Sequence, residues 1–165
     1  MRVLTSNTYP MPDELRAPFL EAVGSRLSGY VALLQLLGGA NVNVGADPED
    51  KPASGKWLTV GYEKPNGPVP ETFEGWLTPR LWIKSECRRN LFSFVDALSW
   101  HGEVHAEVFN RLENYRPSLS GGLNGGNGSV VEREEMTADI MVDADDDTYY
   151  FTSFYSTRII AAHAA

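Results

Sequence analysis

Cysteine occurs once in this chain, at Cys87, so no intrachain disulfide and no multi-cysteine metal site can form. A lone thiol fits a reducing compartment. Basic residues are also scarce: 14 Lys and Arg stand against 22 Asp and Glu, and the pI is near 4.8. The only adjacent basic pair is Arg88–Arg89. A nucleic-acid grip needs Lys and Arg clustered against phosphates, so this composition argues against one. Long apolar runs are missing too. The longest, Tyr30 to Leu37, is too short to cross a bilayer. The opening MRVLTSNTYPMPDE lacks the apolar centre of a signal peptide, so a soluble, unexported chain is expected. No internal repeat is visible.

Composition is otherwise that of a globular protein, 42% hydrophobic and 22% charged over 165 residues. One domain spanning 1–165 is expected, with an irregular arm at 1–14 and a frayed tail at 161–165. Charge is unevenly spread. The stretch Val131 to Asp147 holds Glu132, Glu134, Glu135, Asp139, Asp143, Asp145, Asp146 and Asp147 against Arg133 alone. Almost the whole net charge of −8 therefore sits there. Met136, Ala138, Ile140 and Val142 alternate with polar residues, which predicts a strand, followed by an Asp-rich turn and an aromatic strand from Tyr149 to Ile160.

Leu15, Phe19, Val23, Leu27, Val31 and Leu34 recur at helical spacing, predicting one helix of about five turns from near residue 17 to Gly38–Gly39. Short strands are expected at Asn41–Val44, Lys56–Glu63 and Trp76–Ser85, with Pro79 keeping the last at an edge or an irregular start. Leu91, Val95, Leu98, Gly102, His105, Phe109 and Leu112 predict a second helix from Arg88 to about Tyr115, with a bend or a split at Gly102. Ser118 to Ser129 reads as a flexible glycine loop. The order gives an α+β fold: a mostly antiparallel sheet of four to five strands on two helices, closed by a C-terminal β-hairpin.

Several motifs invite a chemical reading. His101 and His105 stand at i, i+4, as zinc ligands can, but Glu103 is misplaced for the H-E-x-x-H order, so buried structural histidines are expected. Asp143, Asp145 and Asp147 start like a calcium loop, yet the sixth position is Thr148 and the twelfth Phe154, so a hairpin turn is expected. The glycines from Gly121 to Gly128 precede a strand and lack a following Gly-Lys-Ser/Thr, which excludes a phosphate cradle. Cys87 has no nucleophile signature around it and reads as a core residue. Trp57, Tyr62, Trp76 and Trp82 could form a stacking platform; packing of the sheet against the helices is the plainer expectation. No catalytic, cofactor or metal site is expected.

The order of elements resembles the tail terminator (tail completion) family of long-tailed bacteriophages. The resemblance runs from Leu15 to Ile160 through LLQLLGGANVNV, KWLTVGYE, RLWIKSE, RRNLFSFVDAL and MTADIMVDADDDTYYFTSFYSTRII. The longer second helix and the glycine-rich insert at Ser120 to Ser129 depart from that pattern and leave open a neck protein such as a head–tail connector. The resemblance implies a non-enzymatic virion protein of the tail or neck, assembled in the host cytoplasm without cofactor or membrane. It implies a ring, typically a hexamer, that caps the tail tube, stops its polymerisation and receives the filled head. Its partners would be other copies of itself, the tail tube protein and a connector or neck protein, with DNA passing through the lumen unbound.

Within that picture Glu132, Glu134, Glu135, Asp139, Asp143, Asp145, Asp146 and Asp147 are the candidate lumen or docking surface. An acidic lining repels phosphates over about 8 Å at physiological salt. A solvated hairpin that keeps the protein soluble accounts for the same residues. Two other classes compete: an acidic module inhibiting a basic partner, and a small hydrolase using zinc at His101 and His105.

Overall fold

The first helix forms where the apolar spacing requires it. α1 (Arg16–Ser28) buries Phe19, Val23 and Leu27 along one face, and Pro18 sits in its first turn, where its missing N–H leaves no bond unmade. The computed structural model describes residues 15–63, 76–120, 125–134 and 139–161. The expected arm at 1–14 lies outside them, as does the tail beyond Ala161.

The single five-turn helix expected here is two helices. Gly29 closes α1, and Tyr30 adopts an extended backbone (ψ 102°) before α2 (Val31–Leu37) begins. The Tyr30 hydroxyl donates to Glu107 at 2.6 Å, fixing the break, and the new direction lets Leu33 and Leu37 reach the core. Gly38, in the left-handed region at φ 72°, ends α2 as glycine commonly does.

The strands follow as β1 (Val42–Val44), β2 (Lys56–Tyr62), β3 (Trp76–Leu77) and β4 (Arg80–Arg88). After α3 (Phe94–Leu112) come β5 (Ser118–Leu119), β6 (Gly126–Arg133), β7 (Met141–Asp143) and β8 (Thr148–Ala161). The strand expected over Trp76–Ser85 is interrupted ahead of Arg80, where Pro79 has no N–H to give the ladder. α3 starts six residues later than expected because Ser93 caps it, accepting the Asp96 N–H at 3.2 Å. Gly102 does not split it: the helix continues unbroken past that position.

The architecture is α+β, as expected, but the sheet is mixed. Six strands follow the order β1-β2-β4-β8-β6-β5, and the short β3 and β7 pair alongside β8. β1 runs parallel to β2, while the remaining ladders are antiparallel. The larger strand count has a simple cause. β8 is 14 residues long, enough to seat β4 and β3 in succession on one side and β7 and β6 on the other. Ala161, expected to be frayed, is the buried last residue of β8.

Two further expectations change. The continuous acidic strand is split: β6 ends at Arg133, β7 resumes at Met141, and Glu135 to Ala138 lie outside the described residues. Much of the glycine loop is strand. A Cβ on Gly128 would stand 2.6 Å from Phe19, so the residue is glycine to let β6 lie against α1.

The core fills one face of the sheet. Leu58, Val60, Leu81, Ile83, Tyr155 and Ile159 meet Phe19, Leu27, Leu37, Val104 and Val108 of the helices. Each such side chain, fully buried, contributes roughly 1.5–3 kcal/mol. The described residues include no helix long and apolar enough to cross a membrane.

Candidate functional site

Alternation along β4 and β8 sends Leu81, Ile83, Ser85, Tyr155 and Ile159 to the helices and Trp82, Lys84, Glu86, Tyr150, Thr152 and Phe154 to the other face. Among the described residues, no helix covers that second face. It forms an open groove of about 700 Å³, floored by Trp82, Lys84, Tyr150, Thr152 and Phe154. Gly45, Ala46 and Asp47 wall one side; Val142, Asp143 and Ala144 wall the other. The Trp82 ring lies over Gly61, where a Cβ would collide with it. Trp57 is fully buried outside the helix-facing core, under Lys51, whose ammonium stands 5.1 Å from the ring centre. So Trp57 and Trp82 do not pack the sheet against the helices as expected, whereas Tyr62 does, donating to the Arg16 carbonyl at 3.0 Å. The side chain of Trp76 lies outside the described residues.

Charge on the groove floor is internally balanced. Lys84 lies 3.0 Å from the buried Glu86 carboxylate and 3.5 Å from Asp47. The approach to Glu86 Oε1 is oblique, an ion pair rather than a hydrogen bond. Glu86 Oε2 accepts from the Thr148 hydroxyl at 3.1 Å, and Asp47 accepts from Thr59 at 2.8 Å. Burial raises the Glu86 carboxyl above its ordinary value, opposed by Lys84. Burial alone would lower Lys84, but Glu86 and Asp47 outweigh it and raise the ammonium.

The acidic residues lie along one side of β8. Glu132 and Arg133 face its middle, opposite Ser156 and Tyr155, and Asp143 faces its start at Thr148. Their charge is partly neutralised at home. Glu134 takes Arg80 at 2.6 Å, Asp146 takes Lys51 at 3.8 Å and Asp147 takes Arg89 at 3.4 Å. Asp143 is built into the turn, accepting the N–H groups of Asp145 at 3.0 Å and Asp146 at 3.2 Å, while Asp147 adopts φ 52°. Asp139 accepts the N–H of Ile140 at 2.7 Å. Among the described residues, Glu132, Asp139, Asp143 and Asp145 make no ion pair. Glu135 is outside them.

Glu86, Asp143 and Asp146 bring carboxylate oxygens within 4.8 Å of one another. Lys84 and Lys51 already neutralise two members of this trio, and a cation would have to displace them.

His101 and His105 lie on the buried face of α3, 2% and 3% exposed. The Ser85 hydroxyl stands 2.6 Å from His101 Nδ1 and 2.8 Å from His105 Nε2, and His105 Nδ1 lies 2.9 Å from Ser153 Oγ. Burial holds His101 down at about 4 and His105 at about 3, so both rings are neutral near pH 7. Cys87 Sγ lies 3.7 Å from His101 Nε2, and burial pushes its thiol up to about 12. This network joins α3 to β4 and β8 within the core.

The acids are legible in the sequence as charge, whereas the groove's signal there is the alternation of Arg80, Trp82, Lys84 and Glu86 against Leu81, Ile83, Ser85 and Cys87. Large aromatic and charged residues fill the face away from the core.

No protein-family model matches the sequence, and no curated protein matches it. A chain in a solved structure, the virion of a native gene transfer agent (GTA) particle, has the same fold: TM-score 0.55 at 14% identity, covering 92% of this chain and 98% of that one.

Proposed function

We propose that this chain is a structural protein of a phage-like particle and, within it, a tail terminator. Copies assemble into a ring, typically of six, that caps the tail tube, ends its growth and receives the head. The observation that carries this reading is the likeness, over nearly the full length of both chains, to a chain of a GTA virion. The element order running from LLQLLGGANVNV to the C-terminal hairpin points the same way. The sealed, neutral Ser85–His101–His105 network supports a packing role for the residues that could otherwise suggest hydrolysis.

In this reading the side of β8 that carries Glu132, Asp139 and Asp145 faces the lumen. Glu134, Asp146 and Asp147 are held by Arg80, Lys51 and Arg89 and contribute less to the field. The remaining carboxylates repel DNA phosphates over about 8 Å, so DNA passes without being gripped. The protein belongs to the virion, at the tail or neck, with the tail tube protein and a connector as neighbours.

The test is tube growth. Added to its cognate tail tube protein during polymerisation, the chain should halt elongation and be seen by labelled electron microscopy at one tube end. Tubes that grow unchanged, with the label elsewhere, would overturn the terminator role. Label confined to the head side of the joint would favour a neck position instead.

A further inference from the structure

We draw no further inference here: the strongest candidate, the open groove floored by Trp82, Tyr150 and Phe154 on the sheet face away from the helices, already carries its own Lys84–Asp47 ion pair, and nothing in the structure shows what covers it.

Discussion

Gly128 lies directly beneath the Phe19 ring, so close that a Cβ on the glycine would stand 2.6 Å from Phe19 Cδ2. Strand β6 reaches helix α1 because this position has no side chain. Gly128→Ala should therefore overpack the core and destabilise the fold by about 1–3 kcal/mol. Pairing it with Phe19→Leu should recover part of that loss. Urea denaturation midpoints of the two single variants and the double variant measure the coupling; strict additivity would show that the two residues do not meet.

The buried histidines make a pH prediction. His101 near 4 and His105 near 3 lie below the ordinary 6.5. Below pH 6.5 the unfolded chain takes up protons that the folded chain refuses. Stability is thus fully present above about 6.5 and is lost as pH falls toward 4 and then 3. Each histidine adds about 1.4 kcal/mol per pH unit to that slope between its two values. His101→Gln with His105→Gln should flatten the dependence between pH 6 and 4 relative to the parent, whatever it does to stability at pH 7. Denaturant titrations at several pH values read this directly, and parallel curves would contradict it.

Lys84 is the main counter-charge of the buried Glu86. Lys84→Met should cost about 3 kcal/mol by stranding that carboxylate. Lys84→Met with Glu86→Leu should be closer to the parent than Lys84→Met alone. Thermal or urea unfolding of this cycle tests the point; a neutral Lys84→Met would mean that Glu86 is not held by Lys84.

The acidic side of β8 should be dispensable for folding. Glu132→Ser, Asp139→Ser and Asp145→Ser together remove three carboxylates that have no ion-pair partner among the described residues. The triple variant should keep its unfolding midpoint yet hold double-stranded DNA more tightly at low salt, the difference fading as salt screens it. Electrophoretic mobility shift across a salt series checks this, and unchanged DNA retention would leave the acids a solubility role only.

The class of the fold was legible because apolar periodicity reports which residues are buried. Phe19, Val23 and Leu27 announced α1 by their spacing; for α3 the stripe through Leu91, Val95 and Leu98 gave the helix but not its buried face, which carries Ala97, Trp100, Val104 and Val108 while Leu91, Val95 and Leu98 stay exposed. Boundaries set by one residue's tertiary bond were not legible. The first helix stops at Gly29 and the chain passes through the extended Tyr30, whose hydroxyl meets Glu107 far along the chain, a contact that the apolar spacing across the break does not announce. Gly126 and Gly128 read as loop because flexibility is the usual use of clustered glycine, whereas here they make room for α1 and β8. The mixed sheet was hidden for a similar reason: β1 joins it through a parallel pairing that no turn signal marks. The acidic residues were visible as charge, but their neutralisation by Arg80, Lys51 and Arg89 depends on contacts between distant strands and loops. The groove escaped notice because its floor is drawn from the polar-looking half of β4 and the aromatic half of β8.

The central claim is that the chain closes on itself as a ring. Native mass spectrometry over a concentration series, with negative-stain imaging of the same samples, tests it most directly. The account predicts a species of about six subunits that grows in with concentration and images as an annulus. A monomer at every concentration, or open filaments without closure, would contradict it.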